Sequence, residues 1–358
     1  MNGGAAIGNA LRALWRRVKR RALAGGILVG LFYAPLAPVA RLLKKKVPIT
    51  DMGDLALWLM YHPEVGVLPC DGWKMASPPH FDADEINCLR NRRRVDAAAV
   101  ESRLSLEDVE PGKPSAPLRG AANVAVHVHS FFPEVLPRIM KALGNIPVPF
   151  DLFVSVPEGA ELPQCVDGVA RRVVLERCPN RGRDIAPMLC TFGERLARYD
   201  VVAHFHTKKS PHVAESGDWL GHSLSHLLGD ADRVKWILGL LEDGYGIVAP
   251  PEFAPSPEDP TGWMRNRKQA QRLADIGGLD VDLARDFTPM PFAKGSMFWA
   301  RGDFLKRFFA LPMAFEDFPP EPIGIDGSPA HALERLFFLW GTGTGLKVAR
   351  LKEVPNVC

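Results

Sequence analysis

The chain has 358 residues, 47% of them hydrophobic, with 44 Lys and Arg against 41 Asp and Glu. This is more than a single ordinary core requires, so one catalytic domain with extensions is expected. The six cysteines (Cys70, Cys88, Cys165, Cys178, Cys190 and Cys358) form no C-x-x-C pair, which argues against a zinc ribbon or a disulfide framework and fits a reducing cytoplasm.

Charge divides the chain into two unlike parts. Before Asp51 there is no acidic residue and there are ten basic ones, which leaves 34 Lys and Arg against 41 Asp and Glu in the rest. Between the basic clusters runs ALAGGILVGLFYAPLAPVA, uncharged from Ala22 to Ala40. Its roughly nineteen residues are near the minimum for crossing a bilayer, but Pro35 and Pro38 break the second half of a helix. Residues 1–50 are therefore expected to be a membrane-associating arm, lying on or re-entering the anionic cytoplasmic face of the inner membrane. A helix packed on the body and a signal peptide are the alternatives.

Residues 51–120 read as a helical extension and linker, with DLALWLMYHPEVGVL and DADEINCLRNRRRVDAAAVESRL as amphipathic stretches and EPGKPSAP as the joint. Residues 121–358 form the organised domain. NVAVHVHSF predicts a strand, PEVLPRIMKALGNI a helix, DLFVSVPEG and RRVVLE two strands, and DIAPMLCTFGERLARY a helix with a proline in its first turn. DVVAHFH is a further strand, Ala231 to Leu241 a helix and YGIVAPP another strand. The alternation predicts an α/β fold, a mainly parallel sheet flanked by helices.

The segment from Cys178 to His212 draws most attention. Arg181, Arg183, Lys208 and Lys209 are suited to an anion such as a diphosphate, and ligands gather just past the carboxyl ends of such strands. Asn180 and Gly182 permit a tight turn, and Asp184 is placed to cap the following helix. His204 and His206 share one face of their strand, with Phe205 on the other. FAKGSMFWARGDFLKRFF reads as a strand turning into a helix, with Gly295 and Ser296 allowing close approach of a sugar and Phe298 or Trp299 offering an apolar face. Ser328 is a good N-cap for a helix bearing His331 and Glu334 three apart.

The series VHVHSFFPEVL, FDLFVSV, NRGRDIAPML, YDVVAHFHTKKS, GIVAP, KGSMFWAR and ALERLF, from Ala122 to Trp340, resembles the rhamnan-synthesis F family of bacterial polysaccharide glycosyltransferases. The resemblance implies a GT-A-like nucleotide-sugar-binding domain. It implies transfer of rhamnose or another deoxyhexose, with inversion, from a nucleotide diphosphate donor to a cell-surface or lipid-linked glycan. The donor would contact Asn180, Arg181, Gly182, Arg183, Asp184, His204, His206, Lys208 and Lys209. Acceptor or sugar would meet His129, Gly295, Ser296 and Trp299.

Inverting transfer needs a base for the acceptor hydroxyl. Glu334 matches the family's acidic position, and Asp326 in the preceding loop is the second choice. The D-x-D-type acidic pair common in GT-A enzymes is replaced here by His204, Phe205 and His206. Neutral imidazoles are poor magnesium ligands, so a metal-independent reaction with Lys208 and Lys209 neutralising the leaving group is preferred to one using a divalent metal. No nucleic-acid partner is expected. Two alternatives stand beside this reading. One is a hydrolase holding zinc or iron with histidines such as His127, His129, His222 and His226; the other is a non-catalytic glycan-binding protein.

Overall fold

A computed structural model of the chain describes residues 104–112, 122–163, 166, 168–207, 218–253, 263, 266–283, 291–324 and 326–353. The basic arm, most of the extension and Lys208 and Lys209 lie outside the described residues. The described residues build a mixed eight-stranded sheet between two layers of helices.

The strands are β1 (Leu106–Val109), β2 (Val124–His129), β3 (Phe150–Pro157), β4 (Arg172–Cys178), β5 (Val201–His206), β6 (Tyr245–Ala249), β7 (Phe298–Arg301) and β8 (Lys347–Leu351). Their order across the sheet is β1-β8-β6-β7-β5-β2-β3-β4. All neighbouring pairs are parallel except those of β7, which runs antiparallel to both β5 and β6.

β2 to β6 follow the expected strands closely, because both faces of the sheet are covered and apolar or β-branched residues run through them. β1 was not expected. It lies within the segment read as extension and linker, yet it pairs in register with β8, from Leu106 opposite Val348 to Val109 opposite Leu351. Three cross-strand ion pairs fasten it: Asp108 with Arg350, Glu107 with Lys347 and Glu110 with Lys352.

Alternation sorts the strand residues onto two faces. Val124, Val126, Val128, Ala203 and Phe205 meet α1 (Leu136–Leu143), α3 (Trp219–Leu228) and α4 (Ala231–Glu242). Ala125, Phe153, Val202, Ile247 and Phe298 meet the segment from Ile185 to Leu196, α5 (Arg267–Ile276), α6 (Lys306–Phe309) and α7 (Pro329–Leu336). The single helix expected over residues 184–199 is instead a π-type turn, Pro187–Thr191, followed by the short α2, Gly193–Leu196. Pro187 supplies no amide hydrogen to the first turn, and wide turns of this kind recur beside functional sites. Among the described residues no helix is long and apolar enough to cross a membrane.

Strand order reverses between β2 and β5. The chain runs from β2 outward through β3 to β4, then crosses back to place β5 on the other side of β2. Ligands of open α/β sheets bind in the crevice outside the carboxyl ends at such a switch point.

Candidate functional site

His129, Ser130, His206 and Thr207 stand at the carboxyl ends of β2 and β5, in this crevice. Thr207 ties the two exits together, its amide donating to the His129 carbonyl at 2.9 Å and its hydroxyl accepting the Phe132 amide at 2.8 Å. Beneath the crevice the odd-numbered face of β2 and the even-numbered face of β5 carry four histidines. His127 and His204 are fully buried and sit opposite each other in the sheet. Their rings stack with centroids 5.0 Å apart.

These side chains form one continuous hydrogen-bonded chain. Asp184 Oδ2 lies 3.1 Å from His204 Nε2, and His204 Nδ1 lies 2.9 Å from His127 Nδ1. His127 Nε2 lies 3.0 Å from Ser155 Oγ, which is 2.9 Å from His129 Nδ1. A carboxylate only accepts, so His204 donates from Nε2 and accepts at Nδ1 from the His127 N–H. The Ser155 hydroxyl then donates to His127 Nε2 and accepts from His129 Nδ1–H. Every tautomer follows from the charge at one end, and the bare Nε2 of His129 is the other.

Electrostatics agree with that polarity. Burial holds His204 below its ordinary value against the opposing pull of Asp184. Burial, reinforced by the neighbouring His204 and His129, takes His127 well below it. Burial likewise lowers His129, to about 3. Burial alone would raise Asp184, but the field of His206 and the hydrogen bond from His204 outweigh it and keep the carboxyl below the usual carboxylate range. The three histidines are thus neutral and the aspartate charged near neutral pH.

A second arm of polar contacts reaches the crevice from the far side of β5. His206 Nε2 donates to the Gly295 carbonyl at 2.8 Å and lies 4.0 Å from Asp184 Oδ2. The Gly295 amide donates in turn to Glu334 Oε1 at 2.7 Å. Gly295 and Ser296 both adopt left-handed backbone, at φ 85° and 57°, which turns the chain into β7 with its peptide groups facing His206 and Glu334. Because β7 is antiparallel, its entry lies among its neighbours' exits. Glu334 comes from α7, started by Ser328, whose hydroxyl accepts the His331 amide while Pro329 occupies the first turn.

The turn before the π-type segment forms a wall. Gly182 (φ 65°) and Arg183 (φ 56°) are both left-handed, and a Cβ on Gly182 would fall 2.4 Å from Ala186 Cβ and 2.6 Å from the Phe318 ring. No other residue fits there. Arg181 donates to the Phe318 carbonyl at 2.9 Å and Arg183 to the Gly324 carbonyl at 3.1 Å. Asn180 accepts the Glu321 amide through its carbonyl at 3.4 Å. Each guanidinium holds five N–H donors, so these bonds orient the arginines and leave donors over.

The structure therefore brings together His129, Asp184, His204, His206, Gly295, Ser296 and Glu334, with Asn180 to Arg183 alongside. Three expectations change. Asp184 does not cap a helix, since its carboxylate turns to His204. Asp326, the second choice as base, is buried and accepts from Arg335 at 3.0 Å and from Asn266 at 2.5 Å, which ties it to the approach to α7. Trp299 is fully buried on the opposite face against Phe205, its indole N–H given to the Leu227 carbonyl at 3.1 Å. A central strand covered on both sides has no exposed face, so Trp299 is no sugar platform. Ser155 and Ser130 went unnoticed in the sequence. Ser155 lies on another strand, and only the register of β2 with β3 sets it opposite His129. Ser130 directly follows the H-x-H pattern, and its buried Oγ has no hydrogen-bond partner among the described residues, as expected of a group awaiting water or ligand.

An α/β protein with a polar crevice at the switch point of its sheet is the class that the fold and these residues define. The model of the rhamnan synthesis protein F family matches residues 89–342, and the chain belongs to that family. The family takes its description from rhamnan synthesis. Two curated relatives, from two strains of Xanthomonas campestris pv. campestris and both described as "Uncharacterized protein WxcX", are 30% identical over 241 residues. The match spans 66% of this chain and 34% of each relative, so the chain corresponds to about a third of their length.

Proposed function

We propose that the crevice at the ends of β2 and β5 is the donor site of a GT-A-like glycosyltransferase acting in polysaccharide synthesis. It moves a sugar, rhamnose or another deoxyhexose, from a nucleotide diphosphate to a cell-surface or lipid-linked glycan, with inversion. The observation that carries this reading is the convergence of Glu334, Gly295, His206 and Asp184 at the switch point of a chain in the rhamnan synthesis F family.

In this reading the diphosphate lies along the turn at Asn180 to Arg183, where guanidinium donors and left-handed backbone favour an anion, and Lys208 and Lys209, next in sequence after Thr207, are assigned to the same group as further cations. Cationic side chains there stabilise charge as it develops on the leaving nucleotide. Glu334 takes the proton of the acceptor hydroxyl. The Gly295 amide fixes Oε1, and Oε2, 4.0 Å from an Arg335 guanidinium nitrogen, is the oxygen assigned to that proton.

Isothermal titration of the full chain with dTDP-, GDP- and UDP-linked sugars, before and after chelation, tests the donor site. One donor is expected to bind without added metal. Glu334→Gln retains an oxygen for the Gly295 amide, so it should keep donor affinity within about twofold and lose at least about 100-fold in turnover, the range ascribed to general acid–base catalysis. Equal loss of both would remove Glu334 as base, and binding of none of the donors would remove the transferase reading.

A further inference from the structure

On the opposite face of the sheet from this crevice, α3 presents His222 and His226 one turn apart, with ring centroids 4.4 Å apart. Glu353 meets them from the segment that follows β8. His226 Nε2 is 3.4 Å from Glu353 Oε2 and His222 Nε2 is 4.0 Å from Glu353 Oε1. Among the described residues this is a group of three ligand-bearing side chains whose ligand atoms all lie within 4.8 Å of one another. We propose that His222, His226 and Glu353 bind a divalent transition metal ion, with zinc the natural occupant, which staples α3 to the segment leaving β8.

The geometry suits such an ion. Ligands at about 2.0–2.1 Å around tetrahedral zinc stand roughly 3.3 Å from one another; the His226–Glu353 pair at 3.4 Å already matches this, and the exposed glutamate can move to close the 4.0 Å gap to His222. His226 Nδ1 donates to the His222 carbonyl at 2.8 Å. This is the orienting bond that metal-bound histidines characteristically make, and it turns Nε2 toward Glu353 as the ligand atom. His222 Nε2 donates to the Pro251 carbonyl at 3.2 Å; the metal would replace that hydrogen, and the carbonyl oxygen is placed to be a fourth ligand. Two imidazoles and oxygen donors suit zinc better than magnesium or calcium.

The role is structural. In zinc hydrolases with histidines spaced in this way on a helix, a glutamate follows the first histidine and activates water. Here Ser223 occupies that position and is buried. The test reads metal uptake and not turnover, so the site stands or falls independently of the transferase reading.

The test uses the full chain, stripped with chelator and titrated with zinc in competition with a chromophoric chelator, and with cobalt(II) as a visible-absorbing substitute. The wild-type chain is expected to take up one equivalent with a rise in Tm, and cobalt to give the intense bands of a tetrahedral site. The double variant His222→Ala/His226→Ala should take up none. Glu353→Gln, at an exposed position that leaves the core intact, should bind at least tenfold more weakly while its unliganded Tm is unchanged. No uptake by the wild type, undiminished uptake by the double variant, or wild-type affinity in Glu353→Gln would each overturn the proposal.

Discussion

With its Nε2 hydrogen given to Asp184, His204 can only accept at Nδ1, and the same constraint passes to His127, Ser155 and His129 in turn. Burial keeps these three imidazoles neutral, with His129 lowered to about 3. In the unfolded chain each titrates near pH 6.5, as a free histidine does. The stabilisation from their neutrality is therefore fully present above about pH 6.5 and is lost as pH falls, because the unfolded state binds protons that the folded state refuses. Each such group contributes up to about 1.4 kcal/mol per pH unit in that window. Asp184, with its depressed value, stays charged throughout and adds nothing there. Urea midpoints should fall steeply between pH 7 and 5, and His129→Gln should reduce the slope by roughly one such contribution. A flat profile over that range would refute the neutral chain. That His204 and His206 share a face was legible from strand alternation alone. The partners of the histidines were not, since Ser155 reaches His127 and His129 through strand register and Asp184 reaches His204 from a turn.

At the scale of elements, the joint between α2 and β7 is set by backbone contact. A Cβ on Gly302 would lie 2.0 Å from the Tyr199 carbonyl oxygen, beside the 2.8 Å bond from the Gly302 amide to Asp200. Neither chain can yield without parting β5 from β7, so Gly302→Ala should cost at least about 2 kcal/mol of stability. Gly193→Ala is the control, because its new methyl would meet nothing closer than 3.7 Å and alanine favours the helix. Denaturant titration of both checks the pair, and equal midpoints would show that the Tyr199 contact is not limiting. The elements legible in the sequence were those with dense apolar strands, β2 to β6, and the capped helix α7. β1 was missed because LEDV at a sheet edge is half-exposed and charged, and only its pairing with β8, backbone and ion pairs together, marks it as a strand. The direction of β7 was equally hidden, since FWAR reads the same in either orientation and its neighbours β5 and β6 are fixed by contacts far apart in sequence.

For the whole molecule, the asymmetry of charge separates a basic arm from an acidic body. The ten basic residues before Asp51 are expected to hold the protein on anionic lipid, each adding about 1 kcal/mol near the surface. Sedimentation with phosphatidylglycerol vesicles should capture the full chain at low salt and release most of it at 0.5 M NaCl, while a chain lacking residues 1–50 stays in the supernatant with its donor binding unchanged. Capture of the shortened chain would assign the membrane contact elsewhere.

The sheet itself is two parallel blocks, β1-β8-β6 and β5-β2-β3-β4, and β7 is the strand that joins them. That seam is narrow: four residue pairs to β5 and two to β6. As the chain is made from its amino terminus, the histidines of β2 and β5 are synthesised well before residue 301 gives β5 its second neighbour and before Glu334 exists. Contacts so distant in sequence are slow to close. The crevice is thus completed late, with its floor of histidines built from one block and Glu334 delivered by the chain between β7 and β8.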